Sequence, residues 1–154
     1  MSNDTNPTTT PADTLDDHSA AASQLRIAIF RLARRMRTQR AVDSMSDGQF
    51  AVLAGLWVHG SHTLGELADR ERVSAPSMNR TVNCLQESGY VSRTADENDG
   101  RKVQISLTAE GRAVVDETAR RRDAWVEEAL ADLSAQERET LTQAAEIMQR
   151  MVAL

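Results

Sequence analysis

Residues 63–106, TLGELADRERVSAPSMNRTVNCLQESGYVSRTADENDGRKVQIS, hold two short helical patterns followed by two alternating ones around a polar loop. Thr63 and Glu66 have the spacing of a capping box, which starts a helix through Leu64, Leu67 and Ala68. Ser74 is a second N-cap, and Pro76 follows inside the first turn, where a missing N–H costs little. From Met78 the apolar or small positions continue at Thr81, Val82 and Leu85, one side of a helix that Gly89 ends. The other side carries Asn79, Arg80, Asn83 and Gln86. Beyond Gly89 the period drops to two, through Tyr90, Val91 and Arg93 and then Val103, Ile105 and Leu107, with Asp96 to Gly100 as the turn. Helix, short helix, helix and hairpin predict a winged helix-turn-helix, a module that reads duplex DNA.

Outward from this stretch, the chain repeats the same start signals. Ser46 and Gln49 form a capping box for a helix with Phe50, Leu53, Leu56 and Trp57 on its apolar face, closed by Gly60. Thr108 restarts helical structure, and Val114, Val115, Thr118, Trp125, Val126, Ala129, Leu130 and Leu133 keep a stripe. Ser134 and Glu137 open a last helix bearing Leu141, Ala144, Ala145, Ile147, Met148, Met151 and Val152. On the N-terminal side, residues 18–42 are strongly helical, with Leu25, Ile29, Leu32 and Met36 in one stripe and Ile27, Phe30 and Ala33 widening it. Residues 1–17 are rich in Thr, Asp, Pro and Asn and read as a disordered tail. The expected division is a tail (1–17), a dimerisation helix (18–43), the DNA-binding module (44–108) and C-terminal dimerisation helices (109–154). Neither terminal piece can bury its apolar surface alone, which predicts a helical layer built by both ends of two chains. A two-fold axis would then offer two recognition helices about one DNA turn apart, roughly 34–36 Å.

With 154 residues the chain supports one hydrophobic core. A single cysteine, Cys84, excludes an intrachain disulfide and a thiolate metal cluster; beside Leu85 it reads as a small core residue. No basic, apolar leader or membrane-length run is evident, which favours the cytoplasm. The net charge of −5 opposes DNA binding, and residues 44–108 hold six Lys or Arg against eight Asp or Glu. Phosphates respond to the field of one face, so the demand is on placement: Arg70, Arg80, Arg93 and Arg101 belong together. In the first helix, Arg26, Arg31, Arg34, Arg35, Arg37 and Arg40 occur without an acid between Asp17 and Asp43. They read as a solvated face, as partners of the acidic C-terminal third, or as the lining of an anion cavity. His59 and His62 have only Glu66 nearby as a third ligand and read as a polar loop. No catalytic triad, supported carboxylate pair or phosphate-cradling loop occurs, so neither catalysis, cofactor nor metal is expected.

A helix enters the major groove by its N-terminal turns, which here carry Ser74, Ala75, Pro76, Ser77, Asn79 and Arg80. Ala75 and Pro76 suit a thymine methyl, Ser77 and Asn79 a base edge, and Arg80 a guanine or a phosphate. Asn83, one turn on, suits the backbone. In the wing, Arg101 at a loop tip suits the minor groove, with Lys102 beside it. Asp99 fits a structural role, accepting turn N–H groups or pairing with an arginine. Arg70 and Arg72 are candidates for phosphate contact.

On these residues the chain resembles the MarR family of bacterial winged-helix regulators. The resemblance covers residue 20 onward, and DENDGRKVQISLTAEG is its most specific part. Asp99 and Arg101 fall on the family's wing signature, and Leu107, Thr108 and Gly111 on its closing L-T-x-x-G. Glu97 replaces a common proline and Gly100 a common second arginine, removing one charge from the wing. The resemblance implies a homodimer joined through first and last helices, bound to pseudo-palindromic double-stranded DNA. It also implies repression relieved by a small aromatic or anionic effector, in a crevice for which Phe30, Arg34, Phe50, Leu53 and Trp57 are candidates; core packing is the alternative role for these five. The cysteine near the start of the first helix that redox-sensing members use has no counterpart here. The rival reading is a protein-interaction or scaffold module on the same fold, without specific DNA binding.

Overall fold

The computed structural model describes residues 11–95 and 102–152, with side chains from residue 19. The elements run α1 (Pro11–Arg37), α2 (Asp47–His59), β1 (His62–Thr63), α3 (Leu64–Arg70), α4 (Ala75–Glu87), β2 (Val91–Ala95), β3 (Val103–Leu107), α5 (Ala109–Ala131) and α6 (Ala135–Val152). Mostly helical, with a small antiparallel sheet, this is the expected winged helix-turn-helix class. The chain divides into two units, Met1–Thr38 and Gln39–Leu154.

The first unit differs from its sequence pattern at both ends. Its helix begins at Pro11, inside the stretch read as a tail, because proline at a first helical position gives up an N–H that has no partner there. It stops at Arg37 instead of reaching Val42. Thr38 closes it, both its N–H and its Oγ1 donating to the Arg35 carbonyl, at 3.2 and 2.7 Å. The large apolar side chains of α1 from Leu25 to Leu32 are exposed, with Phe30 at 60% and Leu32 at 51%, while Ala33 and Met36 are half-buried.

In the second unit, Arg40 and Ala41, which continue that helical pattern in sequence, are bonded to α5 instead. The Ala41 N–H donates to Thr118 Oγ1 at 3.2 Å, and the Arg121 guanidinium donates to the Arg40 carbonyl. Arg40 in turn pairs with Asp47 at the start of α2. Thr118 is thus a fully buried polar group with its hydrogen bond made, the condition under which such burial is tolerated. The core lies among α2, α3, α4 and the sheet, around Leu53, Leu67, Met78, Val82, Leu85 and Ile105.

The capping boxes at Ser46–Gln49 and Thr63–Glu66 are both formed, each box satisfying two backbone donors that a helix start leaves open. Backbone and hydroxyl hydrogen bonds from Thr63 hold the Glu66 carboxyl below its ordinary value. Ser134 and Glu137 bond in the same reciprocal way before α6.

The sheet order is β1-β3-β2, all antiparallel, so the expected hairpin gains a third strand. His62 and Thr63 pair with Ile105 and Gln104. Val91, Arg93 and Ala95 pair with Leu107, Ile105 and Val103.

Along α5, Glu117 accepts hydrogen bonds from Arg120 at 2.7 and 2.8 Å and from Arg121 at 2.8 Å. The Arg120 bonds first, then that of Arg121, lower the Glu117 carboxyl from 4.5 to about 2. A folded-state value below the ordinary one means that this cluster's contribution is complete above pH 4.5 and vanishes as pH falls through about 2. Carboxyl-detected NMR titration should find Glu117 still ionised at pH 3, and the Arg120→Ala/Arg121→Ala pair should return its midpoint toward 4.5. An unchanged midpoint in that double variant would remove the two arginines as the cause.

Candidate nucleic-acid interface

Helix α4 starts at Ser74, whose Oγ accepts the Ser77 N–H at 3.4 Å. Met78, Val82 and Leu85 seal one face into the core. That leaves Ala75, Pro76, Asn79 and Arg80 exposed, and Ser77 and Asn83 half-buried. Cys84 is exposed, a correction to its reading as a core residue. It lies two positions past Val82, about 200° around the helix, so it cannot share the buried stripe.

The turn between α3 and α4 is closed by Arg72, which has a left-handed backbone (φ 53). Its N–H donates to the Asp69 carbonyl at 3.2 Å and that of Val73 to the Ala68 carbonyl at 3.0 Å. The conformation costs a side-chain-bearing residue about 1 kcal/mol that glycine would avoid. Arg70 and Arg72 are both exposed beside this turn.

The wing strands leave the C-terminal end of α4 through Gly89 (φ 79), where the Tyr90 N–H returns to the Leu85 carbonyl at 2.9 Å. The L-T-x-x-G segment locks this turn from the far side. The Thr108 N–H donates to the Tyr90 carbonyl at 3.1 Å, and Thr108 Oγ1 to the Gly89 carbonyl at 2.6 Å. Thr108 Oγ1 also caps α5 by accepting the Gly111 N–H at 3.0 Å. Orientation of recognition helix, wing and α5 therefore meets at one threonine.

Arg93 supplies the contact that sequence reading did not assign. On β2 it faces the same side as buried Val91 and is paired with buried Ile105. Leu64, Asn79, Arg93, Val103 and Ile105 line a shallow hollow between α4 and the sheet. Arg93 Nη2 donates to Asn79 Oδ1 at 3.0 Å and to Asn83 Oδ1 at 2.9 Å. One nitrogen with two hydrogens thus joins two amides one helical turn apart. The sequence signal was a charged residue on the apolar phase of a strand.

Asp99 and Arg101 lie outside the described residues; Lys102, at the start of the returning strand, is exposed. Of the crevice candidates, Phe30 and Arg34 belong to the first unit and the other three to the second. Leu53 has 0% exposure and offers no surface to a ligand, the core role being the one it takes. The Arg122 guanidinium lies over the Phe50 ring, 4.6 Å from its centroid, and Trp57 is 47% exposed. Among the described residues no cluster of three metal-ligating side chains occurs, and no helix is long and apolar enough to cross a membrane.

The MarR family profile matches residues 45–103, from the end of the Arg40-anchored segment into β3. An HTH-type transcriptional regulator of Mycobacterium tuberculosis is 38% identical over 138 residues, which are 90% of this chain and 96% of that protein. The transcriptional repressor YetL of Bacillus subtilis is 31% identical over 66% of this chain and 65% of its own length. A transcriptional regulator structure from Pseudomonas aeruginosa superposes with a TM-score of 0.80 at 27% identity, over 89% of this chain and 97% of that one. With a capped helix turned outward beside a wing, and 38% identity to such a regulator over 90% of its length, this chain belongs to the MarR family of DNA-binding transcriptional regulators.

Proposed function

We propose that this protein is a homodimeric repressor that occupies a pseudo-palindromic operator and acts without catalysis. The observation that carries the reading is the exposed start of α4, where Ala75, Pro76, Asn79 and Arg80 project beyond a face sealed by Met78, Val82 and Leu85. Ser74, Ser77 and Asn83 complete the surface offered to the major groove, with Arg80 reaching a guanine or a phosphate. Arg70 and Arg72 flank it as phosphate contacts. Arg101 enters the minor groove with Lys102 on the neighbouring phosphate, and Asp99 fixes the loop. Repression is favoured by relatives that are themselves repressors, YetL among them. A small aromatic or anionic effector would release the operator by preferring another spacing of the two recognition helices; the paired Arg122 and Phe50, with Trp57 nearby in sequence, suit such a compound.

Operator binding by Arg101→Ala tests the assignment. Affinity should fall and the slope of log K against log salt should shrink by about one, the loss of one phosphate-neutralising charge. Unchanged affinity across several salt concentrations would take Arg101 out of the interface. A protein-interaction module would instead bind no genomic fragment with preference at any salt concentration.

A further inference from the structure

We infer that Arg93 is a specificity-determining positioning residue, which turns Asn79 and Asn83 into donor-only readers of the operator. The inference rests on the proposed seating of α4 in the major groove. A guanidinium has hydrogens to give and no lone pair to accept with, so each amide facing Arg93 Nη2 must present its oxygen. The opposite edge of each amide is then an NH2 group, which has no partner among the described residues. Asn79 and Asn83 are four residues apart, so both NH2 groups lie on one face of α4.

This has a consequence for base choice. A free asparagine recognises adenine by a matched pair of bonds, its oxygen accepting from N6 and its nitrogen donating to N7. With the oxygen held by Arg93, the first of those bonds is given up. What remains is donation to acceptors: the major-groove edge of guanine supplies two side by side, O6 and N7, and thymine supplies O4, whereas adenine keeps only N7, flanked by its own N6 donor. The base pairs opposite Asn79 and Asn83 should therefore be guanine or thymine, where an unclamped asparagine would favour adenine. Arg93 itself need not touch DNA.

The test is selection of binding sites from a random duplex library by the full-length protein, repeated with Asn79→Ala, Asn83→Ala and Arg93→Met. Positions at which the two alanine variants lose preference identify the bases these amides read. At those positions the wild type should enrich guanine or thymine, and Arg93→Met should move enrichment toward adenine while leaving the salt slope unchanged. Where guanine is the enriched base, 7-deazaguanine, lacking the N7 acceptor, should weaken binding roughly tenfold; this arm stands even if Arg93→Met fails to fold. Adenine in the wild-type site, an unaltered preference in Arg93→Met, or a salt slope reduced by about one would each overturn the inference, the last by making Arg93 a phosphate contact. Alanine variants that leave every base preference intact would overturn the seating of α4 instead, a separate outcome.

Discussion

Gly111→Ala should be among the most destabilising single-methyl additions this chain can receive. A Cβ at that position falls inside contact distance of the Tyr90 carbonyl oxygen, 2.9 Å from its carbonyl carbon and 3.1 Å from Leu107 Cδ2. Two of these atoms are backbone at the α4–β2 turn, and that backbone is itself held by the Thr108 N–H and hydroxyl. The clash cannot be relieved by turning a side chain. Either α5 or the turn must shift, and the shift reaches the recognition helix through Gly89 and Tyr90. Overpacking of this kind costs about 3 kcal/mol, which at this chain length lowers Tm by roughly 6–12 °C. Thermal unfolding followed by circular dichroism measures it. A Tm within a degree or two of wild type would show that α5 is not clamped onto the turn. The spacing of Thr108 and Gly111 then has a mechanical meaning: the hydroxyl caps one helix while gripping the end of another, and only glycine permits that approach.

How much of this was readable beforehand depended on how local each cause is. The caps at Ser46, Thr63, Ser74 and Thr108 are formed as their spacing implies, because each involves atoms within four residues. The turn at Gly89 and the stop at Gly60 follow from single-residue backbone freedom. β1 was invisible because two residues show no period, and its pairing is dictated by distant Ile105 and Gln104. The early stop of α1 has the same origin, since the competing partners of Arg40 and Ala41 are Arg121 and Thr118 on α5. Site residues divide likewise. The exposed set on α4 follows from helical phase, which also shows why Cys84 lies outside the core. The Arg93 clamp depends on a strand register bringing an arginine over a helix ten or more residues away in sequence, and no spacing rule encodes that.

Replacing Leu141 and Ile147 together by glutamate should abolish dimerisation and leave the chain folded. Ordinarily two charges on apolar positions threaten a core, but α6 has no buried residue: Leu141 is 47% exposed, Ile147 50% and Met151 56%. The same side chains would be costly to leave in water, and Phe30 and Leu32 on α1 are in the same condition. A second copy of the chain covers such faces without enlarging the single core, in line with the proposed dimer. Helical circular dichroism should therefore be retained while light scattering reports a single-chain mass. Operator affinity should drop by about 10²–10⁴, the factor by which joining two weak modules raises binding over one. That factor matters because the module itself is slightly acidic, with six basic residues against eight acidic ones in 44–108, so one copy has little electrostatic hold on a duplex. A double variant that remains a dimer would move the interface elsewhere. One that becomes monomeric yet binds as tightly as wild type would show that a single α4 and wing are enough, and would remove the need for two-fold symmetry in the operator.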